Sequence, residues 1–185
     1  MRHENGFGFV RRVCRLAAAA LALAIGGCGG GAPDDVAGLD YVNPAYRFAM
    51  NVPPGWTVRE GSGMPAVFVT GPRMAEGFQA NVNVVVEPVR PGMTLEEYVA
   101  SYKLELEVLR EFKLLSEEPR ERPGGRKTYV LTYRQGAFSV PLTQRQLYLV
   151  AGRRAYVVTA TVPADSFAGE EANFEVCFQS FRAGW

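Results

Sequence analysis

Three thiols, three lysines and a single imidazole bound the chemistry open to this 185-residue chain. The imidazole is His3, and no histidine follows it. The chain beyond residue 3 therefore cannot build a Ser-His-Asp or Cys-His relay, nor a metal site that uses histidine. Cys177 stands in a stripe of Phe174, Cys177, Phe178 and Phe181, spaced i, i+3, i+4 and i+7 as on one buried helix face. A thiol so placed packs as a small hydrophobe, with no imidazole to activate it. Glu96 and Glu97 are no acid–base pair, because adjacent helical residues do not face each other and carboxylates in a first turn suit the helix dipole. Lys103, Lys113 and Lys127 fall in no hydrolase motif, and Gly61-Ser62-Gly63 lacks the Lys-Ser/Thr ending of a phosphate loop. The chain is expected to be no enzyme, with no cofactor and no metal.

Cys28 is a different case. Arg11, Arg12 and Arg15 precede an apolar run of about ten residues within LAAAALALAIGGC, 16–28. That is the length of a signal-peptide core and too short to span a bilayer as a mature helix. The run ends in Ile25-Gly26-Gly27-Cys28, which resembles the lipobox of bacterial lipoproteins: an aliphatic residue, two small residues, then the cysteine that receives diacylglycerol. The resemblance implies a signal peptide over 1–27, lipidation of Cys28, and a membrane-anchored protein on the extracytoplasmic side. Arg11-Arg12 reads as a plain basic leader, since the apolar pair and lysine of a twin-arginine signal are not in place. With Cys14 removed and Cys28 acylated, Cys177 has no disulfide partner.

Cleavage before Cys28 removes Arg2, Arg11, Arg12, Arg15 and Glu4. The 20 basic and 19 acidic residues of the whole chain become 16 against 18, a net −2. A general nucleic-acid binder would show a strong basic excess, so none is expected. Residues 28–40 form a tether rich in glycine and aspartate. Its twelve residues after Cys28 reach at most about 40 Å, or about 20 Å as a flexible coil. A single domain over 41–185 follows.

The elements of that domain are read from periodicity. Tyr46, Phe48, Met50 and Val52 alternate with polar or small residues as a first strand, which Pro53-Pro54-Gly55 ends. Trp56 then enters the core. Strands follow over 56–60, 66–70 and 78–89, the last with Ala80, Val82, Val84 and Val86 on one face. Asn81 and Asn83 on its other face read as a partly solvated or edge-facing row. Thr94 and Glu97 form a capping box for a helix whose stripe is Leu95, Tyr98, Val99, Tyr102, Leu106 and Leu109. An antiparallel meander runs from Lys113, weakly to Pro119, then through 127–133, 140–150 and 155–162. Pro163 ends the sheet, and a closing helix carries the Phe174–Phe181 stripe.

Val52-Pro53-Pro54-Gly55-Trp56 after the first strand, Ala80-Asn81-Val82-Asn83-Val84 leading into the Thr94 helix, the meander and a closing helix ending in Ser180-Phe181 together resemble the PsbP-like superfamily over 41–181. Within it, the chain is similar to the small bacterial envelope lipoproteins of the DcrB and LpqN type. The resemblance implies an α+β fold: an α/β/α sandwich with a central antiparallel sheet of about six to seven strands and two main helices. It also implies docking on other proteins, with no shared catalytic residues.

The function expected is a lipid-anchored, non-catalytic interaction or accessory module of the cell envelope, held to the membrane by its anchor and meeting a protein partner there. The alternative is a small-molecule or lipid-binding lipoprotein with a pocket beside the sheet. One surface is singled out. Alternate turns of an antiparallel meander lie at the same end of a sheet. The turn at Pro123-Gly124 brings Arg120, Arg122 and Arg126; the turn at Gly152 brings Arg153 and Arg154. Five guanidinium groups at one edge would suit an anionic partner, since arginine binds phosphate and carboxylate bidentately.

Overall fold

A computed structural model describes residues 36–74, 77–122, 125–137 and 140–185. The expected signal peptide, Cys28 and the start of the expected tether lie outside the described residues. In chain order the elements are β1 (Tyr41–Asn43), β2 (Phe48–Met50), β3 (Thr57–Glu60), β4 (Val67–Arg73), β5 (Gln79–Pro88), α1 (Leu95–Leu106), β6 (Lys113–Arg122), β7 (Arg126–Ala137), β8 (Val140–Ala151), β9 (Arg154–Pro163), α2 (Phe167–Ser180) and β10 (Arg182–Ala183). Seven strands make one antiparallel sheet in the order β3-β4-β5-β9-β8-β7-β6, and β1-β2-β10 make a second, smaller one. The fold is the expected α/β/α sandwich around a seven-stranded sheet.

Position in the sheet explains the strand patterns. β9 lies at its centre, between β5 and β8, and is buried along nearly its whole length on both faces. Tyr156, Val158, Ala160 and Val162 face α2, while Ala155 and Val157 face α1. A strand covered on both sides has no solvent face to keep polar. β5 alternates, burying Ala80, Val82, Val84 and Val86 toward α2 and leaving Asn81, Asn83 and Glu87 half-buried. The asparagine row is thus partly solvated but not at an edge, because β5 is flanked by β4 and β9.

Two cores result. On the α2 side, Phe174, Cys177, Phe178 and Phe181 pack with Phe48, Met50, Trp56 and the valines of β4 and β5. Burial pushes the Cys177 thiol up to about 12, so it stays protonated and inert as the aromatic stripe predicts. Trp56 follows a turn with Gly55 at φ 79°, and its indole lies on Gly71, where a Cβ would come within 2.9 Å of the ring. On the α1 side, Tyr98, Val99 and Leu106 pack on Leu131, Tyr133, Tyr148 and Val157. Here the sheet also buries polar groups, each with a partner. Gln144 accepts from the Tyr133 hydroxyl at 2.7 Å and donates to Thr161 at 3.0 Å; Gln146 accepts from the Tyr148 hydroxyl and donates to Thr159 at 3.0 Å.

The capping box opens α1 as predicted. Glu97 N donates to Thr94 Oγ1 at 3.1 Å, and Thr94 N donates to the Glu97 carboxylate at 2.9 Å. Thr94→Ala is expected to lower the unfolding free energy by about 1 kcal/mol in urea titration, the usual cost of a lost N-cap. The helix ends at Leu106, a turn short of the predicted stripe. Leu109 and Phe112 are instead carried inward by tight turns, their amides donating to Leu106 O and Leu109 O.

The largest departure from the sequence expectation is at the start of the domain. The strand predicted from Tyr46 to Val52 is only Phe48–Met50 and is not part of the main sheet. Arg47, at φ 55°, turns the chain sharply, so β2 folds back on β1 and takes β10 on its other side. All three β2 residues are buried, and the Phe48 ring stacks on Phe181 at 5.7 Å. β6 also runs on past Pro119 to Arg122. It is an edge strand, where a missing proline N–H need not break a ladder.

Candidate functional site

The turn parity inferred from sequence places its arginines as expected in one respect. Arg122 pairs with Arg126 across the β6–β7 turn, and Ala151 pairs with Arg154 across the β8–β9 turn. Since β7 lies beside β8, both turns fall at the same end of the sheet. Two further segments arrive there. Arg154 donates to Ala45 O at 3.4 Å in the β1–β2 turn, and Arg126 donates to Ala183 O in β10. Arg47 and Arg182 join the cluster by this route. Sequence reasoning missed them because Arg182 sits in the small sheet, and Arg47 in the β1–β2 turn that builds it, neither of which it foresaw.

The guanidinium groups at this end differ in what they do. Arg120 points onto the α2 face, pairing with Glu118 at 2.7 Å and Glu175 at 3.1 Å. Arg122 reaches under the end of α2, donating to Phe178 O and, at 3.0 Å each, to Gln179 O and Phe181 O. Arg182 donates to Gln179 O and Phe181 O as well. The last carbonyls of a helix have no intrahelical donor and carry the negative end of its dipole, so two arginines there satisfy both needs. Burial, with Arg182 and Arg120 close by, lowers the Arg122 pKa to about 10. Arg47 and Arg153 are exposed, and among the described residues no hydrogen bond or ion pair engages the Arg153 side chain. Arg122→Leu is expected to cost about 2 kcal/mol, the scale for hydrogen bonds made by a charged group. Arg153→Glu should stay within about 0.5 kcal/mol of the parent, as surface changes do; urea unfolding of the two variants separates clamp from surface.

A second feature lies beside the sheet, where the small-molecule reading puts a pocket, but on residues the sequence does not single out for binding. Where β5 hands over to α1, a cleft of about 290 Å3 opens, lined by residues that include Glu87, Val89, Met93, Tyr98, Tyr102 and Glu105. Tyr98 is 5% exposed; burial, with its hydroxyl against the Glu87 carboxylate, pushes its pKa well above the ordinary tyrosine value. Burial, with Glu105 nearby, raises the Glu87 carboxyl above its ordinary value. Burial and the same two carboxylates push Tyr102 up to about 12. Tyr98 and Tyr102 had read as core residues of the helix stripe, which describes their rings but not their hydroxyls. Among the described residues, no group of three or more His, Cys, Asp and Glu is placed to hold a metal ion, and no helix is long and apolar enough to cross a membrane.

Known proteins share this architecture. The solution structure of cyanobacterial PsbP (CyanoP) from Synechocystis sp. PCC 6803 superposes with a TM-score of 0.60 at 16% identity, covering 86% of this chain and 98% of that one. LpqN of Mycobacterium tuberculosis, described as involved in cell envelope biogenesis, gives a TM-score of 0.60 at 14% identity, covering 75% of this chain and 83% of that one. The Saccharomyces cerevisiae Ran-binding protein Mog1p gives 0.53 at 12% identity, covering 74% and 90%. No curated protein matches by sequence. At such identities the structural likenesses speak to the fold alone. The family model for PsbP, however, matches residues 38–183, from just before β1 to the end of β10. The chain belongs to the PsbP family.

Proposed function

We propose that this chain is a lipid-anchored accessory protein of a bacterial cell envelope, held on the extracytoplasmic side through Cys28, which acts by docking on other proteins and performs no chemistry of its own. The observation that carries the reading is a spacing. Twelve residues separate Cys28, the last of Ile25-Gly26-Gly27-Cys28, from Tyr41, where β1 of a PsbP-family domain begins. That tether keeps the domain within about 40 Å of the anchor. The likeness to LpqN supports an envelope role, and the likeness to Mog1p supports protein binding as a use of this fold. The lack of histidine after residue 3 supports a non-catalytic role. The exposed Arg47 and Arg153 are where an anionic partner group would meet the arginine-rich end.

The anchor decides the matter experimentally. Acyl burial is worth about 0.8 kcal/mol per CH2, so two long chains hold firmly where one is marginal. In cells fed a labelled fatty acid, the parent protein should carry label and sediment with membranes. Cys28→Ser should lose the label and fail to mature. Unchanged labelling and fractionation of that variant would remove the proposed function.

A further inference from the structure

The arginine-rich end of the main sheet carries positive charge that the chain does not neutralise. Among the described residues, Arg47, Arg122, Arg126, Arg153, Arg154 and Arg182 form no ion pair. β5 ends here too, with Val89 N donating to Arg153 O at 3.0 Å. Arg90, just beyond it, is taken up by Glu97 at 2.8 Å, and Lys127 lies 3.9 Å from Glu96. Arg122 and Arg182 are occupied by the carbonyls that end α2. Arg47, Arg126 and Arg153 remain exposed. The chain from Cys28 onward is net acidic, so its charge is segregated rather than merely abundant.

A tryptophan joins these arginines. Gly184 N donates to Arg47 O at 2.9 Å, and a Cβ on Gly184 would clash with that of Ala151. The chain therefore passes tightly between the β1–β2 and β8–β9 turns, and Trp185 follows directly, only partly buried. An indole, apolar in its body and with one N–H donor, suits the boundary between water and acyl chains. The place of the tether agrees. It enters the domain at β1, which is three residues long, so Tyr41 lies about 10 Å from the turn that carries Arg47. We infer that this end is a membrane-docking face, with Arg47, Arg126 and Arg153 on the phosphate groups of anionic phospholipids and Trp185 in the headgroup layer beside them. The inference rests on the anchor proposed at Cys28, which keeps a lipid surface within reach of guanidinium groups that bind phosphate bidentately.

Both sheets and both cores lie within residues 36–185, so the chain from residue 28 folds without the leader. The test floats residues 28–185 with Cys28→Ser, which carries no acyl chain, on two kinds of vesicle. One is equal parts phosphatidylglycerol and phosphatidylcholine; the other is phosphatidylcholine alone. At about 0.01 M salt the anionic vesicles should bind at least about tenfold more tightly than the neutral ones. Binding should weaken at about 0.15 M, where the screening length falls from about 30 Å to about 8 Å. Arg47→Glu/Arg153→Glu should lose at least about tenfold in affinity with an unfolding midpoint near the parent's, since both side chains are exposed. Tryptophan emission should shift to the blue on binding, and Trp185→Phe should abolish the shift, because Trp56 is already buried. The face is overturned if both vesicles bind alike, if the double variant binds like the parent, or if the emission shift survives in Trp185→Phe. No binding to either vesicle also overturns it and leaves the arginines to an acidic protein surface. Since the tested protein is unacylated, each outcome is separate from that of labelling at Cys28.

Discussion

Replacing Arg145 with alanine is expected to lower the unfolding free energy by about 1.5–3 kcal/mol, the range for hydrogen bonds made by a charged group. Arg145 projects from β8 toward α2 and is only 5% exposed. It pairs with Glu118 at 3.3 Å, with Glu175 at 3.0 Å and with Glu171. Arg120 shares Glu118 and Glu175 with it. The network ties β6, β8 and α2 together; without Arg145, Arg120 alone bridges Glu118 and Glu175, and Glu171 loses its partner. Truncation is costly because those charges stay behind; an apolar replacement of the whole set would cost far less.

The same network gives stability a direction in pH. Arg120 and Arg145 hold the Glu118 carboxyl below its ordinary value, and Lys103 and Tyr129 do the same for Glu117. A carboxyl whose folded pKa lies below its unfolded one adds stability that is present above the unfolded value and is lost as pH falls through the folded one. The parent should therefore weaken on acidification below the ordinary carboxylate range. Arg145→Ala should weaken less steeply there, because part of the depression at Glu118 is gone. Urea midpoints measured from neutral to acid pH read both effects. An Arg145→Ala midpoint unmoved at neutral pH would mean that the network does not hold α2.

Phe178→Ala should cost about 3–5 kcal/mol, the range for deleting a large buried aromatic side chain. Phe178 is fully buried between α2 and the sheet, with Phe174 and Cys177 beside it on the helix stripe. The neighbouring Phe174 meets the Trp56 indole edge-on at 6.1 Å, so the aromatic layer is already interlocked and has little freedom to collapse into a void. A denaturant midpoint close to the parent's would show that α2 is not the lid of this core.

Much of this architecture was legible in the residues. β5 and α1 announce themselves through clean periods of two and 3.6, and α2 through its aromatic stripe. β9 reads as apolar on both faces and takes the central position that such a strand requires. The small sheet was not legible. Its strands are two or three residues long, too short for a period, and β10 joins residues more than 130 positions apart in the chain. The arginine end was half legible. Turn parity brings Arg122, Arg126, Arg153 and Arg154 together, but no local pattern says that Arg122 ends on carbonyls 56 to 59 residues away. The cleft lay hidden for a related reason: Glu87 and Glu105 belong to different elements, and a helix stripe does not say where its hydroxyls point.

The anchor proposed at Cys28 is read out by the intact mass of the protein extracted from its native membranes. That mass should be of a chain beginning at Cys28, heavier than residues 28–185 by the diacylglycerol group and any further acyl chain. A chain that keeps residues 1–27, or one that begins elsewhere and carries no added mass, would contradict it.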